Sequence, residues 1–142
     1  MIYIASDHQG YILKCRIFNW LKSNDVAVSD LGTNSTDRVD FPIYANKVAE
    51  KIKEDNDNRG ILICRTGIGM SMAINRHKGV RGALCKNKKI AKLCREHNNA
   101  NVLVLGAEDL SFRKAKKLIK EFLNTEFLGG KYQDRVEMLD IE

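Results

Sequence analysis

Long apolar stretches are missing from this sequence of 142 residues. None approaches the roughly 20 apolar residues that a helix needs to cross a bilayer, so a membrane partner is not expected. The segment that starts at Met1 also lacks the basic leader and long apolar stretch of a signal peptide. We therefore expect the protein to work in the cytoplasm.

Closely paired cysteines are missing as well. The four cysteines stand at positions 15, 64, 85 and 94 without a Cys-x-x-Cys pair, and only three histidines could add ligands. Such spacing argues against a zinc site and against a disulfide framework. We expect free thiols in a reducing compartment and no bound metal.

Basic residues exceed acidic residues by 24 to 18, which gives a formal net charge of +6. That excess is compatible with nucleic acid and equally with a small anionic substrate. Lysines crowd two predicted helices, at positions 86, 88, 89 and 92 and at positions 114, 116, 117 and 120. No aromatic residues alternate with them to stack on bases, so nucleic acid is not an expected partner.

Short aliphatic runs alternate with helical patterns along the chain. The predicted strands cover residues 2–5, 26–31, 61–64, 80–85 and 101–106. The run at 61–64 is apolar without alternation, which is typical of a strand covered on both faces. The pattern predicts one domain over residues 1–142 with an α/β fold, a Rossmann-like three-layer sandwich. Its five-stranded parallel sheet carries helices on both faces.

The helix boundaries follow from a few signals. Pro42, directly after Asp40 and Phe41, is expected at a first helical position, and Ser111 is expected to cap the last long helix. Further helices are predicted over about 88–96 and, in the tail, over 131–141.

Two loops follow predicted strands at the edge of the sheet where ligands of such folds collect. The first, residues 6–10, places Asp7 and His8 after strand one; the second, residues 64–71, follows strand three. Gly67 and Gly69 free backbone amides to face an anion at a helix start, so Cys64 could act as a base opposite an oxyanion hole. The alternative is a buried strand-end thiol with glycines that only make a tight turn.

Three familiar motifs do not fit the second loop. A dinucleotide fingerprint needs glycine where Met72 stands, and a P-loop needs a Gly-Lys-Ser/Thr sequence that is absent. A cysteine phosphatase cradle needs arginine where Met70 stands. The loop is therefore predicted to hold an anion without nucleotide or phosphoenzyme chemistry.

Two further stretches carry polar side chains. Residues 95–101 place His97 and three asparagines before strand five, and asparagine capping of the preceding helix is the alternative to a functional role. Lys131 and Arg135 lie four residues apart on one helical face, where a solvated tail is the alternative.

Taken together, these stretches resemble the ribose-5-phosphate isomerase B family, which includes the galactose-6-phosphate isomerase subunits. The matching segments run in family order across nearly the whole chain: 6–10, 32–33, 40–44, 60–64, 66–71, 95–98, 100–103 and 125–130. The resemblance implies an aldose–ketose isomerase that interconverts D-ribose 5-phosphate and D-ribulose 5-phosphate through a cis-enediol(ate), without a metal or organic cofactor.

The resemblance also implies residue roles. Cys64 removes the C2 proton, His97 assists ring opening as acid and base, and Thr66 joins them in the catalytic set. The expected substrate-binding residues form the anion hole, contact the sugar or hold the phosphate: Asp7, His8, Arg65, Gly67, Ile68, Gly69, Ser71, Asn98, Lys131 and Arg135.

The order of these residues predicts a dimer. His97 precedes strand five whereas Cys64 follows strand three, so a parallel sheet places them at opposite ends within one chain. We therefore expect a homodimer in which His97, Asn98 and the tail cations serve the partner's Cys64. The tail, about 129–142, would pack at the interface, and a tetramer remains open.

Three positions depart from the family pattern. Arg65 stands where glycine is usual, Glu108 where arginine is frequent, and Lys131 where arginine is usual. Either Arg65 replaces the cation missing at position 108, or it pairs with Glu108.

The departures leave alternatives open. One is isomerisation of a six-carbon sugar phosphate such as galactose or allose 6-phosphate. Another is a non-catalytic anion-binding module.

Overall fold

The computed structural model of the chain describes residues 1–141, which contain one parallel five-stranded sheet. The strands are β1 (Ile2–Ser6), β2 (Val28–Asp30), β3 (Arg59–Cys64), β4 (Gly82–Leu84) and β5 (Val102–Gly106), in the order β2-β1-β3-β5-β4. Position 142, the end of the predicted domain and of the interface tail, lies outside the described residues.

Six helices connect and follow the strands. They are α1 (Tyr11–Ser23), α2 (Phe41–Glu54), α3 (Ile68–Ile74), α4 (Lys88–Asn98), α5 (Phe112–Asn124) and α6 (Lys131–Glu137), with a short 3₁₀ turn at Ala107–Asp109. No helix within residues 1–141 is both long and apolar enough to span a membrane.

Apolar helix faces cover both sides of the sheet. Helices α1, α4 and α5 pack on one face through side chains such as Ile17, Cys94 and Phe122. Helices α2 and α3 pack on the other face, through side chains such as Val48 and Met70. Because β3 and β5 are covered on both faces, their successive side chains pack alternately into the two cores. Neither strand therefore shows an alternation of apolar and polar residues. The predicted three-layer α/β fold is confirmed.

The two edge strands are shorter than predicted. The amide of Val26 donates to the carbonyl of Leu21, which makes it part of the turn that ends α1 rather than of β2. In the same way the amide of Val80 donates to the carbonyl of His77, in the turn that follows α3. Aliphatic residues in these turns extended the predicted strands, although their hydrogen bonds are local.

The helix boundaries differ from the prediction by a few residues. Helix α2 starts at Phe41, so Pro42 occupies its second position, and α4 continues two residues beyond the predicted end. Ser111 caps α5 by accepting a hydrogen bond from the amide of Lys114, as predicted. The tail helix α6 ends at Glu137 instead of continuing to 141.

A buried ion pair fixes the turn after β2. Lys14, on the inner face of α1, is fully buried, and its Nζ donates to both carboxylate oxygens of Asp30 at 2.7 Å and to the carbonyl of Thr33 at 2.7 Å. Asp30 also accepts from the amide of Gly32 at 2.9 Å. The apolar pattern of α1 gave no signal for this lysine.

We expect Lys14→Met to lower the free energy of unfolding by about 3 kcal/mol, because it leaves the Asp30 carboxylate without its cation. The loss stays near the lower end for buried pairs since the Asp30 side chain is 23% exposed. Urea denaturation measures it, with Lys22→Met at the exposed end of the same helix as control. Equal midpoints for the two variants would contradict a stabilising pair.

Candidate active site

Cys64 lies where the strand order of the sheet reverses. It is the last residue of β3, the central strand, and its side chain is only 5% exposed. Strands β1 and β3 are neighbours, with Ser6 opposite Ile63, so the loops that follow them open at one edge of the sheet. The two loops therefore lie side by side, at the position where open α/β sheets bind ligands.

Residues 65–71, named here the amide loop, form a tight turn into α3. Gly67 adopts a left-handed backbone with φ of 81°, and an added Cβ there would collide with Cδ1 of Leu84. A Cβ at Gly69 would lie 2.9 Å from the ring of Phe41. Because neither position has room for a side chain, the backbone amides stay uncovered at a helix start, where the first amides have no partner within the helix.

Two local hydrogen bonds hold the amide loop. Oγ1 of Thr66 accepts a hydrogen bond of 3.3 Å from the amide of Ile68. Ser71 lies one turn further along α3, and its amide donates to the carbonyl of Gly67 at 2.9 Å. These local hydrogen bonds fix the conformation of the loop, which directly follows Cys64.

Since the resemblance implies that Gly67 belongs to an anion hole, substituting it by Ala should lower kcat at least about tenfold, because displacing one oxyanion donor costs about 10²–10³ in rate. The displacement follows from the strained φ and the collision with Leu84. Gly79→Ala is the matched control: Gly79 also has a positive φ, of 80°, but an added Cβ there meets nothing within 4 Å. Steady-state kinetics of both variants decide; equal kcat values would show that the amide geometry does not matter.

The loop after β1 holds Asp7 and His8 in fixed orientations. Oδ1 of Asp7 accepts from the amides of Gln9 and Gly10, both at 3.0 Å, so this carboxylate is committed to the start of α1. Nδ1 of His8 accepts from the amide of Val39 at 3.2 Å. A neutral His8 therefore carries its proton on Nε2 and can donate with that atom to a ligand.

Arg65 is paired rather than free. Its Nε and Nη2 donate to one carboxylate oxygen of Glu108 at 3.0 and 2.8 Å, and the amide of Glu108 donates to the carbonyl of Arg65 at 2.9 Å. Of the two alternatives from the sequence, the structure therefore shows the ion pair. Both side chains are exposed, so the pair lies at the mouth of the site beside Cys64.

A second polar cluster forms around His97. Its ring stacks on Tyr132 with centroids 4.4 Å apart and planes at 14°. A cavity of about 290 Å³ there is lined by His97, Asn98, Tyr132, Arg135, Val136 and Leu139. Lys131 lies at the same place, with Nζ 5.3 Å from the centroid of the Tyr132 ring. Tyr132 was not predicted as a site residue. In the sequence, only its position beside Lys131 and Arg135 on the tail helix pointed to this cluster.

The asparagines of this region divide between two roles. Asn99 ends α4 in a left-handed conformation with φ of 48°; its amide donates to the carbonyl of Arg95, and the next amide, of Ala100, donates to the carbonyl of Cys94. This capping, one alternative from the sequence, thus applies to Asn99. Asn98 instead lines the cavity beside His97.

One chain does not bring the two clusters together. The amide of Gly60, near the start of β3, donates to the carbonyl of Asn101, which follows the His97 cluster, whereas Cys64 lies at the other end of the strand. Four residues at about 3.3 Å each separate these edges by about 13 Å. The structure thus presents two half-sites, one with a thiol and amides and one with an imidazole and cations.

Within residues 1–141, no group of three or more His, Cys, Asp and Glu side chains could hold a metal ion.

These features define the chain as a doubly wound α/β protein with a thiol and a glycine-containing turn into a helix at its switch point. A family model described as Ribose/Galactose Isomerase matches residues 2–139, and the chain belongs to this family. The family membership predicted from the sequence is thereby confirmed.

Similar proteins span almost the same length. A putative sugar phosphate isomerase of Rickettsia conorii is 45% identical over 138 residues, 97% of this chain and 96% of the relative. Ribose-5-phosphate isomerase B of Escherichia coli is 39% identical, over 97% of this chain and 93% of its own.

Solved structures agree with the sequence relatives. The ribose 5-phosphate isomerase of Thermotoga maritima superposes with a TM-score of 0.96 at 43% identity, over 98% of this chain and 96% of the other. Ribose-5-phosphate isomerase B of Mycoplasma genitalium, with bound ribulose-5-phosphate, gives a TM-score of 0.93 at 43% identity, over 97% of this chain and 92% of the other.

Proposed function

We propose that the chain is an aldose–ketose isomerase that interconverts D-ribose 5-phosphate and D-ribulose 5-phosphate through a cis-enediol(ate). The observation that carries the proposal is the buried thiol of Cys64 at the switch point, at the start of a loop whose two glycines leave amides uncovered. The related structure with bound ribulose-5-phosphate supports this pair of substrates.

Cys64 is proposed to remove the proton from C2, and the resulting enediolate carries its charge on oxygen. Fixed amide dipoles at Gly67 and Gly69 lower the energy of that charge. Thr66 holds the loop through its hydrogen bond with the amide of Ile68. Ser71, one turn further along α3, is proposed to contact the substrate. Since the dipoles are already oriented, little reorganisation is needed during the reaction.

The sugar is proposed to lie between the two loops, where His8 donates through Nε2 to one of its oxygens. Asp7, held by two amides, keeps this loop in place beside the sugar. A sugar phosphate carries its phosphate far from the reacting carbon, so the phosphate can supply binding energy for positioning.

The second half-site is proposed to come from a partner subunit in a twofold homodimer. His97 of one subunit then acts as acid and base in ring opening at Cys64 of the other, with Asn98 on the sugar and Lys131 and Arg135 on the phosphate. The separation of the two half-sites in one chain supports this arrangement. The tail from residue 129 packs at the interface, and two dimers can pair into a tetramer.

This proposal includes no metal, no organic cofactor, no nucleic acid and no membrane. A cysteine that acts as a base through its thiolate must stay reduced, which fits the cytoplasm as the compartment, and all four cysteines are free.

The proposal is tested by comparing kcat/KM for ribose 5-phosphate with the values for allose 6-phosphate and galactose 6-phosphate. We expect the pentose phosphate to be converted best. Preference for a six-carbon substrate would favour the alternative isomerase, and binding of all three without turnover would favour an anion-binding module.

The Arg65–Glu108 pair should set the affinity for the dianionic substrate. Glu108→Gln removes a negative charge and frees the guanidinium, so KM falls several-fold, while Arg65→Gly leaves an unpaired carboxylate and raises KM. Because the pair is exposed, each effect corresponds to about 1 kcal/mol or less. Steady-state kinetics of both single variants and the double variant measure it; an unchanged KM for Arg65→Gly would remove Arg65 from substrate binding.

A further inference from the structure

Two buried thiols touch each other outside the proposed site. Cys85 directly follows β4, Cys94 lies on α4, and their exposed fractions are 1% and 6%. The Sγ atoms are 3.8 Å apart, with the thiol of Cys85 donating to the sulfur of Cys94. No step of the proposed isomerisation uses either sulfur.

The environment makes the two thiols unequal. The hydrogen bond from Cys85 lowers the pKa of Cys94, and the charge of Arg95 acts in the same direction against the effect of burial. The same hydrogen bond, together with burial, raises the pKa of Cys85 well above its ordinary value. Since the thiolate is the reactive form, Cys94 is the nucleophile of the pair and Cys85 the proton donor.

We propose that Cys85 and Cys94 form a reversible disulfide when the protein meets a hydroperoxide, and that this bond loosens the amide loop. The two sulfurs, 3.8 Å apart, are already in contact and must approach to the bonding distance of about 2.05 Å.

The oxidation proceeds in two steps that balance. The sulfur of Cys94 attacks the peroxide, so that an S–O bond forms, the O–O bond breaks and the leaving oxygen departs as an alcohol or water. The sulfur of Cys85 then attacks the sulfenic acid, an S–S bond forms, and the hydroxyl leaves as water with the thiol proton. Two thiols lose two electrons in total, and one peroxide gains them.

The coupling to the amide loop passes through the end of β4. Leu84, the residue before Cys85, lies directly against the space above Gly67, on the other face of the sheet from Cys94. Cys85 also lines a small cavity of about 30 Å³ together with Thr66 and Gly106. A bond that draws Cys85 toward α4 therefore pulls Leu84 away from Gly67 and removes the packing that holds the loop.

The disulfide itself is tested by peptide mapping. Protein treated with hydrogen peroxide is alkylated and digested with trypsin, which cleaves at the lysines between the two cysteines. We expect linked peptides that contain Cys85 and Cys94 in the full-length protein, their loss after dithiothreitol, and none in Cys94→Ala or Cys85→Ala. Free, alkylated thiols at both positions after treatment would overturn the proposal.

The effect on the loop rests on the proposed function and is tested separately. Peroxide acts on Cys64 equally in every variant. The comparison between treated full-length protein and treated Cys94→Ala therefore isolates the effect of the disulfide. We expect at least about a tenfold greater loss of kcat in the former, a fraction of what losing an oxyanion donor costs, with recovery in dithiothreitol. Equal losses would overturn the coupling, whereas failure of the proposed function appears already as inactivity of the untreated protein.

Discussion

Replacing Cys64 by Ala should abolish isomerisation while leaving the protein folded. Removing a general base lowers kcat by about 10²–10⁴, and the one ionisable side chain of the amide loop, Arg65, is a cation and cannot take its place. The measurement is the formation of ribulose 5-phosphate from ribose 5-phosphate by purified protein and variant.

The control for this experiment is Cys15→Ala, which removes a half-buried thiol from α1, far from the loop in sequence. It should keep full activity, and the urea midpoints of both variants should stay close to that of the parent. Activity that survives in Cys64→Ala would keep the isomerase and discard the thiol mechanism. Loss of activity in both variants would point to a general effect of thiol loss.

Mixing two inactive variants should restore activity if, as proposed, each half-site comes from a different subunit. Cys64→Ala homodimers lack the base, and His97→Ala homodimers lack the acid and base of ring opening. After subunit exchange at equal amounts, half of the dimers are mixed, and each mixed dimer holds one site with both residues intact. We expect about one quarter of the parent activity.

The exchange itself must be shown by native mass spectrometry of the mixture. A mixture of Cys64→Ala with a tagged copy of the same variant is the matched control and should stay inactive. Mixed dimers without recovered activity would show that Cys64 and His97 do not serve a common site. A monomer at assay concentration that turns over substrate would overturn the shared site altogether.

Sequence patterns predicted the fold because the central strands bury both faces. The apolar run that forms β3 indicated a strand covered on both faces, and the alternation of strands with helices indicated a parallel sheet; the order of the strands was not predicted. The edge strands were predicted less well, since Val26 and Val80 are aliphatic residues whose hydrogen bonds close turns rather than extend β2 and β4. Apolar composition alone does not separate these two uses.

The residues of the site were likewise predicted where the signal is local in sequence and missed where it is not. The glycines of the amide loop were visible because Gly67 and Gly69 are spaced for a turn into a helix. Lys14 was not visible, because a lysine within an apolar helix face gives no sign of the carboxylate that it meets across the fold. The stacking of Tyr132 on His97 depends on how the tail folds back, which no local spacing in the sequence encodes.

The short edges of the sheet also bear on how copies of the chain associate. Strands β2 and β4 have three residues each, so each edge offers very few free backbone groups for pairing with a strand of another molecule. A dimer that continues the sheet from one subunit to the next is therefore disfavoured, as is edge-to-edge aggregation. Association through the surface formed by α4 and α6 does not have this restriction. Two subunits can then contribute side chains to each other's sites without pairing their sheets.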